Sequence, residues 1–501
     1  MRLGSTVNAV ESHMLTRTSS QSLTHQLCER FAERIKSRLL APGARLPSVR
    51  LCAQQQGVSV STVVAAYDQL QALGLVVARP NSGFYVRDAA VPTSNMGLAL
   101  ANKSKNAIEK IANKTLCGGA VAPVDATQLI RGMFHRPLTA SGDAGDKPQP
   151  GMGVFPPDWL VSSFLPAAVR KFTSAKALAD WSLNYGEPKG DSSLRRALSH
   201  KLGTINMAVS PDQIITTVGA THALDIVSRT LLQAGDCVMV EEPGWAVEFA
   251  RLSALGMQIL PVPRHADGPD LAVMERYCQL HRPKLFVSVS VLHNPTGASI
   301  SPGSAHRVLQ LAQQHNFHIV EDDTYSHLAP EHAIRLCALD GLQRTIYVSG
   351  FAKILAPGWR VGFMAAPPDL VERLLDTKLL ATLTTPALLE KALAHCIDRG
   401  QLRRHAERIR LRLGQARARA VQLALAHGCT FAAEPAGLFG WVETGTDTDA
   451  LAQQMLDEGY LIAPGSLFHA ARRPTTLMRI NFATTQDAAF WTVFARRRGG
   501  G

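Results

Sequence analysis

From about Phe155 to Phe494 the sequence alternates between helix-like periodicity and short apolar runs. This alternation constrains the fold most, because short apolar runs between helical segments are typical of strands in a mostly parallel sheet covered by helices. We predict strands at Gln213–Val218, Cys237–Glu241, Leu285–Val289, His318–Glu321 and Thr345–Ser349. Residues 151–498 are therefore expected to form one large α/β domain.

A second pattern occupies residues 20–88. Its first helix is predicted from apolar residues that recur every four positions, namely Leu23, Leu27, Phe31, Ile35 and Leu39. Ser48 and Ser59 can cap two further helices, the first of which should stop near Gly57. The stretch LVVARPNSGFYV, 75–86, predicts two short strands around a Pro-Asn-Ser-Gly turn. Helix, helix-turn-helix and hairpin together predict a small α+β winged helix.

Charge in this small region favours nucleic acid. Residues 20–88 hold eight basic and four acidic side chains, an excess that favours contact with a phosphate backbone. We predict DNA contacts at Arg45, Arg50 and Thr62, at Ser59 where the recognition helix begins, and at Gly83, which lets the hairpin approach DNA closely. A protein-interaction domain with a solvated basic face is the alternative.

Three stretches of this region resemble the GntR family of bacterial winged-helix repressors. They are LPSVR from Leu46, GVSVSTVVAAYDQLQALGLV from Gly57 and RPNSGFYV from Arg79, and the similarity covers about residues 20–87. Val60 departs from the pattern, since the family usually has an arginine there. The resemblance implies binding to double-stranded promoter DNA.

Between the two patterned regions, residues 89–150 are rich in small and polar residues and show little periodicity. The stretch SGDAGDKPQPG, 141–151, is a strong loop signal. We predict a linker over 89–150.

Polar groups follow several predicted strands of the large domain. HNPTG, 293–297, and EDDTY, 321–325, stand where open α/β sheets bind ligands. TTVGATHALD, from 216, predicts a helix whose first N–H groups could bind phosphate. Lys353 lies in the apolar stretch SGFAKILAPGWRVGF, which also holds Arg360. Taken singly, each of these features also fits capping, core packing or ordinary surface exposure.

Together these stretches resemble the fold type I aminotransferases, from Phe155 to the C-terminus. YGEPKGDSSLR, 185–195, is similar to a further motif of that family. The resemblance implies pyridoxal 5'-phosphate as cofactor. Lys353 would bond covalently to its aldehyde, Asp322 would hold its pyridine nitrogen protonated, and Asn294 and Tyr325 would bind its phenolic oxygen, so that Lys353, Asp322 and Tyr325 are the expected catalytic residues.

The same resemblance implies the remaining contacts. They are phosphate binding by Ala220, Thr221 and Arg360, ring stacking by Trp245, a contact from a neighbouring subunit by Tyr185, and a clamp on a substrate carboxylate by Arg479. Ala352 and Gly350 stand where the family commonly has serines, and Ser349, one place further out, is the remaining candidate hydroxyl.

A GntR-like winged helix, a linker and an aminotransferase-like domain in this order resemble the MocR subfamily of bacterial regulators. This resemblance implies a homodimer that senses pyridoxal phosphate, often with an amino-acid-like effector, and binds promoter DNA. A working aminotransferase with an accessory DNA-binding domain is an alternative. A DNA-binding protein with a relic domain is a third.

Composition limits the remaining classes. The net charge of +12 is spread over 501 residues and is weak support for an anionic partner. The eight cysteines form no C-x-x-C pair, so we expect no metal site and reduced thiols. No signal-peptide layout and no apolar run long enough to span a bilayer occur. We expect a cytoplasmic protein that does not enter a membrane.

Overall fold

The computed structural model describes residues 21–36, 40, 43–79, 83–87, 147 and 149–499. The chain divides into two compact units, Met1–Lys147 and Pro148–Gly501. The linker predicted at 89–150 lies outside the described residues except at 147, 149 and 150.

The first unit has the order of a winged helix. Its elements are α1 (Leu23–Lys36), α2 (Val49–Gln56), α3 (Val60–Ala72), β1 (Val76–Arg79) and β2 (Gly83–Val86), with β1 and β2 antiparallel. Ser48 Oγ accepts the Leu51 N–H at 3.3 Å and so caps α2. Gly57 ends α2 with φ +63°, the left-handed conformation in which glycine meets no Cβ strain.

Apolar side chains from all three helices form the core of this unit. Leu27 and Phe31 of α1 pack with Val63, Tyr67 and Leu70 of α3, and all five are buried. The α1 and α3 faces predicted from the spacing are therefore confirmed at these positions, while Leu39 lies outside the described residues. Most of the stability of these short helices comes from this shared face rather than from helix propensity.

A large mixed sheet forms the centre of the second unit. Its strands are β3 (Ile214–Thr217), β4 (Cys237–Glu242), β5 (Gln258–His265), β6 (Gly268–Pro269), β7 (Leu285–Ser288), β8 (His318–Asp322), β9 (Thr345–Gly350) and β10 (Gly362–Ala365). The order is β3-β10-β9-β8-β7-β4-β5-β6. The central pairs are parallel, whereas β10 runs antiparallel to β9 and β3. Each of the five predicted strands is present, with ends within one residue of the prediction.

Helices cover both faces of this sheet and extend from it. They are α4 (Pro157–Leu160), α5 (Phe164–Lys171), α6 (Ala175–Trp181), α7 (Ser192–Gly203), α8 (Ala220–Leu231), α9 (Ala246–Ala254), α10 (Leu271–His281), α11 (Pro302–His315), α12 (Leu336–Asp340), α13 (Pro368–Thr382), α14 (Ala387–Asp398), α15 (Gln401–Ala426), α16 (Thr448–Asp457) and α17 (Ala488–Arg498). Short 3-10 segments occur at Pro211–Gln213, Ser326–Leu328, Pro357–Trp359 and Gly465–Phe468.

A smaller antiparallel sheet follows α15. It is formed by β11 (Thr430–Phe431), β12 (Phe439–Glu443), β13 (Ala463–Pro464) and β14 (Leu477–Asn481), in the order β11-β12-β14-β13.

Alternate strand residues enter two separate cores, one on each side of the large sheet. Val238 and Val240 of β4 join the cluster beneath α8 and α13, while Met239 between them joins the cluster beneath α10 and α11. This two-residue alternation is the expected behaviour of a pleated strand buried on both faces. Within the described residues, no helix is long and apolar enough to cross a membrane.

Candidate functional site

Lys353 lies just beyond the carboxyl end of β9. Its Nζ donates to the Gly153 carbonyl oxygen at 2.7 Å and lies 5.8 Å from the centre of the Tyr325 ring. The residue keeps some exposed surface, but its ammonium end is enclosed. Burial lowers the pKa of Lys353 to about 8; Arg479 adds to this lowering and Asp322 opposes it. The neutral amine, which is the nucleophilic form, is therefore accessible near neutral pH.

Asp322 is the last residue of β8 and is buried. Its Oδ1 accepts hydrogen bonds from both the N–H, at 3.1 Å, and the hydroxyl of Thr324. Burial raises the pKa of Asp322 to about 6, and the nearby Glu248 contributes to the rise. No cation of the described residues forms an ion pair with this buried carboxylate.

Tyr325 lies three residues after the end of β8 and is buried. Its ring packs edge-on against Phe439 of β12, with ring centres 5.4 Å apart. Burial raises the pKa of Tyr325 above its ordinary value. The phenol therefore stays protonated and can donate a hydrogen bond to an anionic oxygen.

Arg479 of β14 reaches the same place from the smaller sheet. Its Nη1 donates to Asn294 Oδ1 at 2.9 Å and its Nη2 to the Gly151 carbonyl oxygen at 2.5 Å. The guanidinium carbon lies 4.4 Å from the ring centre of Phe439 and 5.0 Å from that of Phe468. Burial lowers the pKa of Arg479 to about 10, so it stays charged at neutral pH. Its Nε has no hydrogen-bond partner among the described residues.

The start of α8 forms a backbone cradle at the edge of this group. Gly219 precedes the helix with φ +87°, and Ala220 and Thr221 are its first residues. Their N–H groups have no partner within the helix. A Cβ on Gly362 would lie 2.6 Å from the Gly219 Cα, so the two glycines let β10 and the helix start approach closely.

Arg360 lies beside this cradle. It adopts φ +51° after the Pro357–Trp359 turn, and its Nη2 donates to the Val218 carbonyl oxygen at 3.2 Å. A Cβ on Gly219 would lie 2.6 Å from the same nitrogen. Helix N–H groups and a guanidinium thus meet at one point, an arrangement that suits a phosphate dianion.

Ser349 is not brought to that cradle. Its hydroxyl donates to the Asp323 carbonyl oxygen at 2.9 Å and lies 3.2 Å from Ser326 Oγ. The next residue, Gly350, is the one that faces Ala220, since a Cβ built on it would lie 3.6 Å from the Ala220 nitrogen. Successive strand residues point to opposite faces. The geometry therefore does not support the predicted phosphate contact by Ser349.

Two predicted aromatic contacts have different surroundings. Trp245 precedes α9, is partly buried against the core beneath α8, and lines a small cavity with Asp322 and Glu248. Tyr185 is 86% exposed. In this chain Tyr185 is a surface residue, and its contact with a neighbouring subunit stays a prediction.

Residues 151–154 also border the site, although no contact by them was predicted from the sequence. The carbonyl oxygens of Gly151 and Gly153 accept hydrogen bonds from Arg479 and Lys353. Those of Met152 and Val154 accept from Asn481 Nδ2 at 2.9 and 2.7 Å. A signal was present in the two glycines of GMGVF. A Cβ on Gly151 would lie 2.6 Å from the Ile462 carbonyl carbon, so the close approach requires glycine.

The predicted DNA contacts lie on the winged-helix unit. Arg45 and Arg50 are exposed, and the Arg45 Nε lies 3.4 Å from the position of a Cβ on Gly83. Ser59 caps α3 by accepting the Thr62 N–H at 3.1 Å, and the two hydroxyls lie 2.8 Å apart. Arg45 and the hairpin glycine are thus brought together, whereas the Ser59 and Thr62 side chains are engaged in the cap.

Val60, the second residue of the recognition-helix motif, is 51% exposed. An apolar side chain therefore stands on the surface where the GntR pattern usually places an arginine.

No group of three or more His, Cys, Asp or Glu side chains suited to a metal ion occurs in the described ranges.

Comparison with known families assigns both units. Residues 160–492, more than half of the chain, match the profile of aminotransferase class I and II. The chain belongs to this family. Residues 23–86 match the profile of bacterial regulatory proteins of the gntR family. The chain therefore combines an aminotransferase class I and II unit with a GntR-type helix-turn-helix domain, which is consistent with the MocR subfamily.

Two relatives have nearly the same sequence identity to this chain but cover different shares of it. An uncharacterized HTH-type transcriptional regulator, YdcR of Escherichia coli, is 28% identical over 470 residues, which cover 91% of this chain and 94% of that protein. The 2-aminoadipate transaminase of Thermus thermophilus is 29% identical over 313 residues, covering 60% of this chain and 77% of that protein. The first similarity spans both units of this aminotransferase family member.

A solved structure confirms the fold of the large unit. LysN, the α-aminoadipate aminotransferase of Thermus thermophilus, was solved with N-(5'-phosphopyridoxyl)-L-leucine. It matches with a TM-score of 0.67 and 23% identity, covering 79% of this chain and 98% of LysN. The α/β fold of the aminotransferases predicted from the sequence is therefore confirmed.

Proposed function

We propose that this chain is a transcription regulator of the MocR type. Its GntR-type unit binds double-stranded promoter DNA, and its aminotransferase unit binds pyridoxal 5'-phosphate, alone or with an amino-acid-like effector. Ligand binding changes the affinity for DNA, which requires that the ligand prefer one of two states of the protein.

One observation carries the cofactor assignment. Lys353 contributes a buried amine and Asp322 a buried carboxylate, and neither forms an ion pair within the described residues. Such groups are costly unless a ligand satisfies them. Pyridoxal phosphate offers an aldehyde for the amine and a ring nitrogen for the carboxylate, and so fits both.

The other groups fit the rest of the cofactor. The Ala220 and Thr221 N–H groups and Arg360 would hold its phosphate. Tyr325 would donate to its phenolic oxygen. Asn294 would do the same through its amide NH₂, because its Oδ1 already accepts from Arg479. Trp245 would pack on the ring.

When bound, the cofactor supplies an aldehyde that condenses with amines and a ring that withdraws electrons. The protein's side chains would orient the cofactor and the amino acid and would pair with their charged groups. Asp322 would keep the ring nitrogen protonated, and Lys353 would accept or donate a proton at its Nζ. Arg479, with its unpaired Nε, would pair with the carboxylate of an amino acid. The aromatic rings of Phe439 and Phe468 would keep water from that guanidinium.

We also propose that the regulator is a cytoplasmic homodimer. The exposed Tyr185 supports the dimer, because a tyrosine that is 86% exposed in one chain is available to a second copy.

The regulatory proposal is tested by DNA binding of the full chain. Fluorescence anisotropy with duplexes from upstream of its own gene and of the adjacent genes would measure affinity before and after cofactor loading, then with single amino acids added. We expect at least one duplex to bind specifically and its affinity to shift on loading. Specific binding that no cofactor or amino acid changes would contradict the sensing role.

A second function has one specific observation in its favour. Lys353, Asp322, Tyr325 and Arg479 are all present and brought together, so the groups needed for transamination are in place. Multiple turnovers with an amino acid and a keto acid acceptor would establish an active aminotransferase. Reaction of one amino acid per cofactor without further turnover would favour the sensor.

A further inference from the structure

A second cavity lies in the aminotransferase unit. It encloses about 620 Å³ between α7, the segment 326–331 and the first half of α15. That volume falls within the range of roughly 300 to 1,000 Å³ typical of pockets for small organic molecules. Its lining includes none of the residues assigned above to the cofactor, so it is a separate place on the molecule.

Cationic side chains dominate the polar lining. Five basic residues line the cavity, against the two acidic residues Glu331 and Asp398; the basic residues are Arg196, Lys201, Arg335, Arg403 and Arg410. Arg335 is already neutralised, because its Nε donates to Asp323 Oδ2 at 2.6 Å. Arg403 also forms an ion pair, from Nη1 to Glu407 Oε1 at 3.3 Å. Arg196, Lys201 and Arg410 remain against the two acidic residues, and an excess of positive charge in a cleft attracts anions.

Lys201 stands out among these cations. Burial lowers its pKa to about 8, with Asp323 opposing and Arg335 adding to the effect. In the described part of the chain no group forms a hydrogen bond or ion pair with its ammonium. The buried Lys378, in contrast, has a hydrogen-bond partner, because its ammonium donates to the Pro188 carbonyl oxygen at 2.5 Å. An ammonium that lines a cavity, is charged at neutral pH and has no hydrogen-bond or ion-pair partner among the described residues is a group with which an anionic ligand would pair.

Apolar side chains also line the cavity. Ala197 and Ile205 approach from α7 and the turn after it, and Leu402 and Ala406 from α15. Apolar walls with a few converging polar groups are the usual composition of a small-molecule site. They favour a ligand with a carbon skeleton over a bare inorganic ion.

We propose that this cavity binds a small organic anion, whose carboxylate or phosphate group pairs with Lys201 and Arg410 and whose apolar part packs on Ile205 and Leu402. The proposal concerns binding alone and holds whether or not the chain regulates transcription.

The cavity borders the chain segment that carries part of the proposed cofactor site. Ser326 and His327 line it and directly follow Tyr325 in the chain. The Arg335 that lines the cavity holds Asp323, the neighbour of Asp322. A ligand in the cavity therefore contacts the segment that carries two of the proposed cofactor-binding residues.

The test uses the full chain loaded with pyridoxal phosphate, so that the phosphate cradle at α8 is filled. Isothermal titration calorimetry would compare phenyl phosphate and benzoate with benzyl alcohol, which has the same apolar body without charge. We expect at least one anion to bind and benzyl alcohol not to bind. The anion that binds more tightly shows whether the site prefers phosphate or carboxylate.

Variants locate the binding. Lys201→Gln and Arg410→Gln should each weaken anion binding roughly tenfold or more, the loss expected for one charge-assisted hydrogen bond. Lys176→Gln, which removes an exposed lysine outside the cavity, should leave it unchanged. Because Lys201 has no described partner, Lys201→Gln leaves no group unpaired, and circular dichroism would verify its fold.

A chemical readout does not depend on the variants. Acylation at pH 7.5 followed by peptide mass spectrometry should modify Lys201, and a saturating concentration of the anion that binds should protect it. The proposal is overturned if neither anion binds, if benzyl alcohol binds as tightly, or if Lys201 is labelled equally with and without the anion.

Discussion

Arg479 and Asn294 lie 185 residues apart in the chain and are joined by a hydrogen bond of 2.9 Å from Nη1 to Oδ1. The bond connects β14 of the smaller sheet with the loop that follows β7 of the large sheet. The same guanidinium holds the Gly151 carbonyl oxygen. Arg479 therefore connects β14, the loop after β7 and the segment at Gly151 through hydrogen bonds, at the proposed binding place of a substrate carboxylate.

This connection predicts the effect of Arg479→Gln. Affinity for amino acids, followed by the change in cofactor absorbance, should fall roughly tenfold or more, because a charged pair is lost. The unfolding free energy should also fall by about 1–3 kcal/mol, since buried acceptors lose their donor. Arg170→Gln removes an exposed arginine and is the matched control. Unchanged amino acid affinity in Arg479→Gln would contradict the assignment.

Asp322 predicts a pH dependence in the cofactor-free protein. Its pKa rises from 3.8 unfolded to about 6 folded, so the native state binds the extra proton between these values. Stability from this group is therefore lost as pH rises through about 6, by up to about 3 kcal/mol. Asp322→Asn mimics the protonated form and should stabilise the cofactor-free protein at pH 8 but not at pH 4.

Urea unfolding at the two pH values would measure this difference. Asp180→Asn removes an exposed carboxylate and is the matched control. If Asp322→Asn changes the unfolding free energy by the same amount at pH 4 and pH 8, then burial does not destabilise the charged form of Asp322. Bound cofactor should abolish the gain, because its ring nitrogen supplies the missing positive charge.

Much of the large unit could be predicted from the sequence because its signals are local. The strands β4, β7, β8 and β9 are apolar runs, and their carboxyl ends carry the polar groups of the site. The caps at Ser48 and Ser59 are equally local.

The contacts that were missed are distant in sequence. Gly151 and Gly153 border a segment that reads as linker, and only the fold brings their carbonyl groups to Arg479 and Lys353. Ser349 was assigned by its place next to a motif, although the two-residue period of β9 directs it to the other face. The cavity at Lys201 joins α7 to α15, which are some 200 residues apart, and no short pattern marks it.

Arg50→Ala tests the DNA-binding surface. The exposed Arg50 of α2 is expected to contact a phosphate, so its removal should weaken binding to every duplex and reduce the slope of log affinity against log salt by about 1. Lys176→Ala removes the same charge from the other unit and should change neither quantity. An unaltered salt slope in Arg50→Ala would place the phosphate contacts elsewhere.

Lys353→Ala separates DNA binding from sensing. The variant should bind its duplex with the affinity of the cofactor-free wild type, because the winged-helix unit has its own core. Its affinity should no longer respond to pyridoxal phosphate. A full response in Lys353→Ala would show that covalent attachment at this lysine is not needed for regulation.

Lys353 is proposed as the attachment point of the cofactor, and borohydride reduction would test this assignment. The loaded protein would be reduced, digested and analysed by mass spectrometry. We expect one phosphopyridoxyl group per chain, on the peptide that contains Lys353, and none after the same treatment of Lys353→Ala. Modification of another lysine in place of Lys353, or none in the wild type, would contradict it.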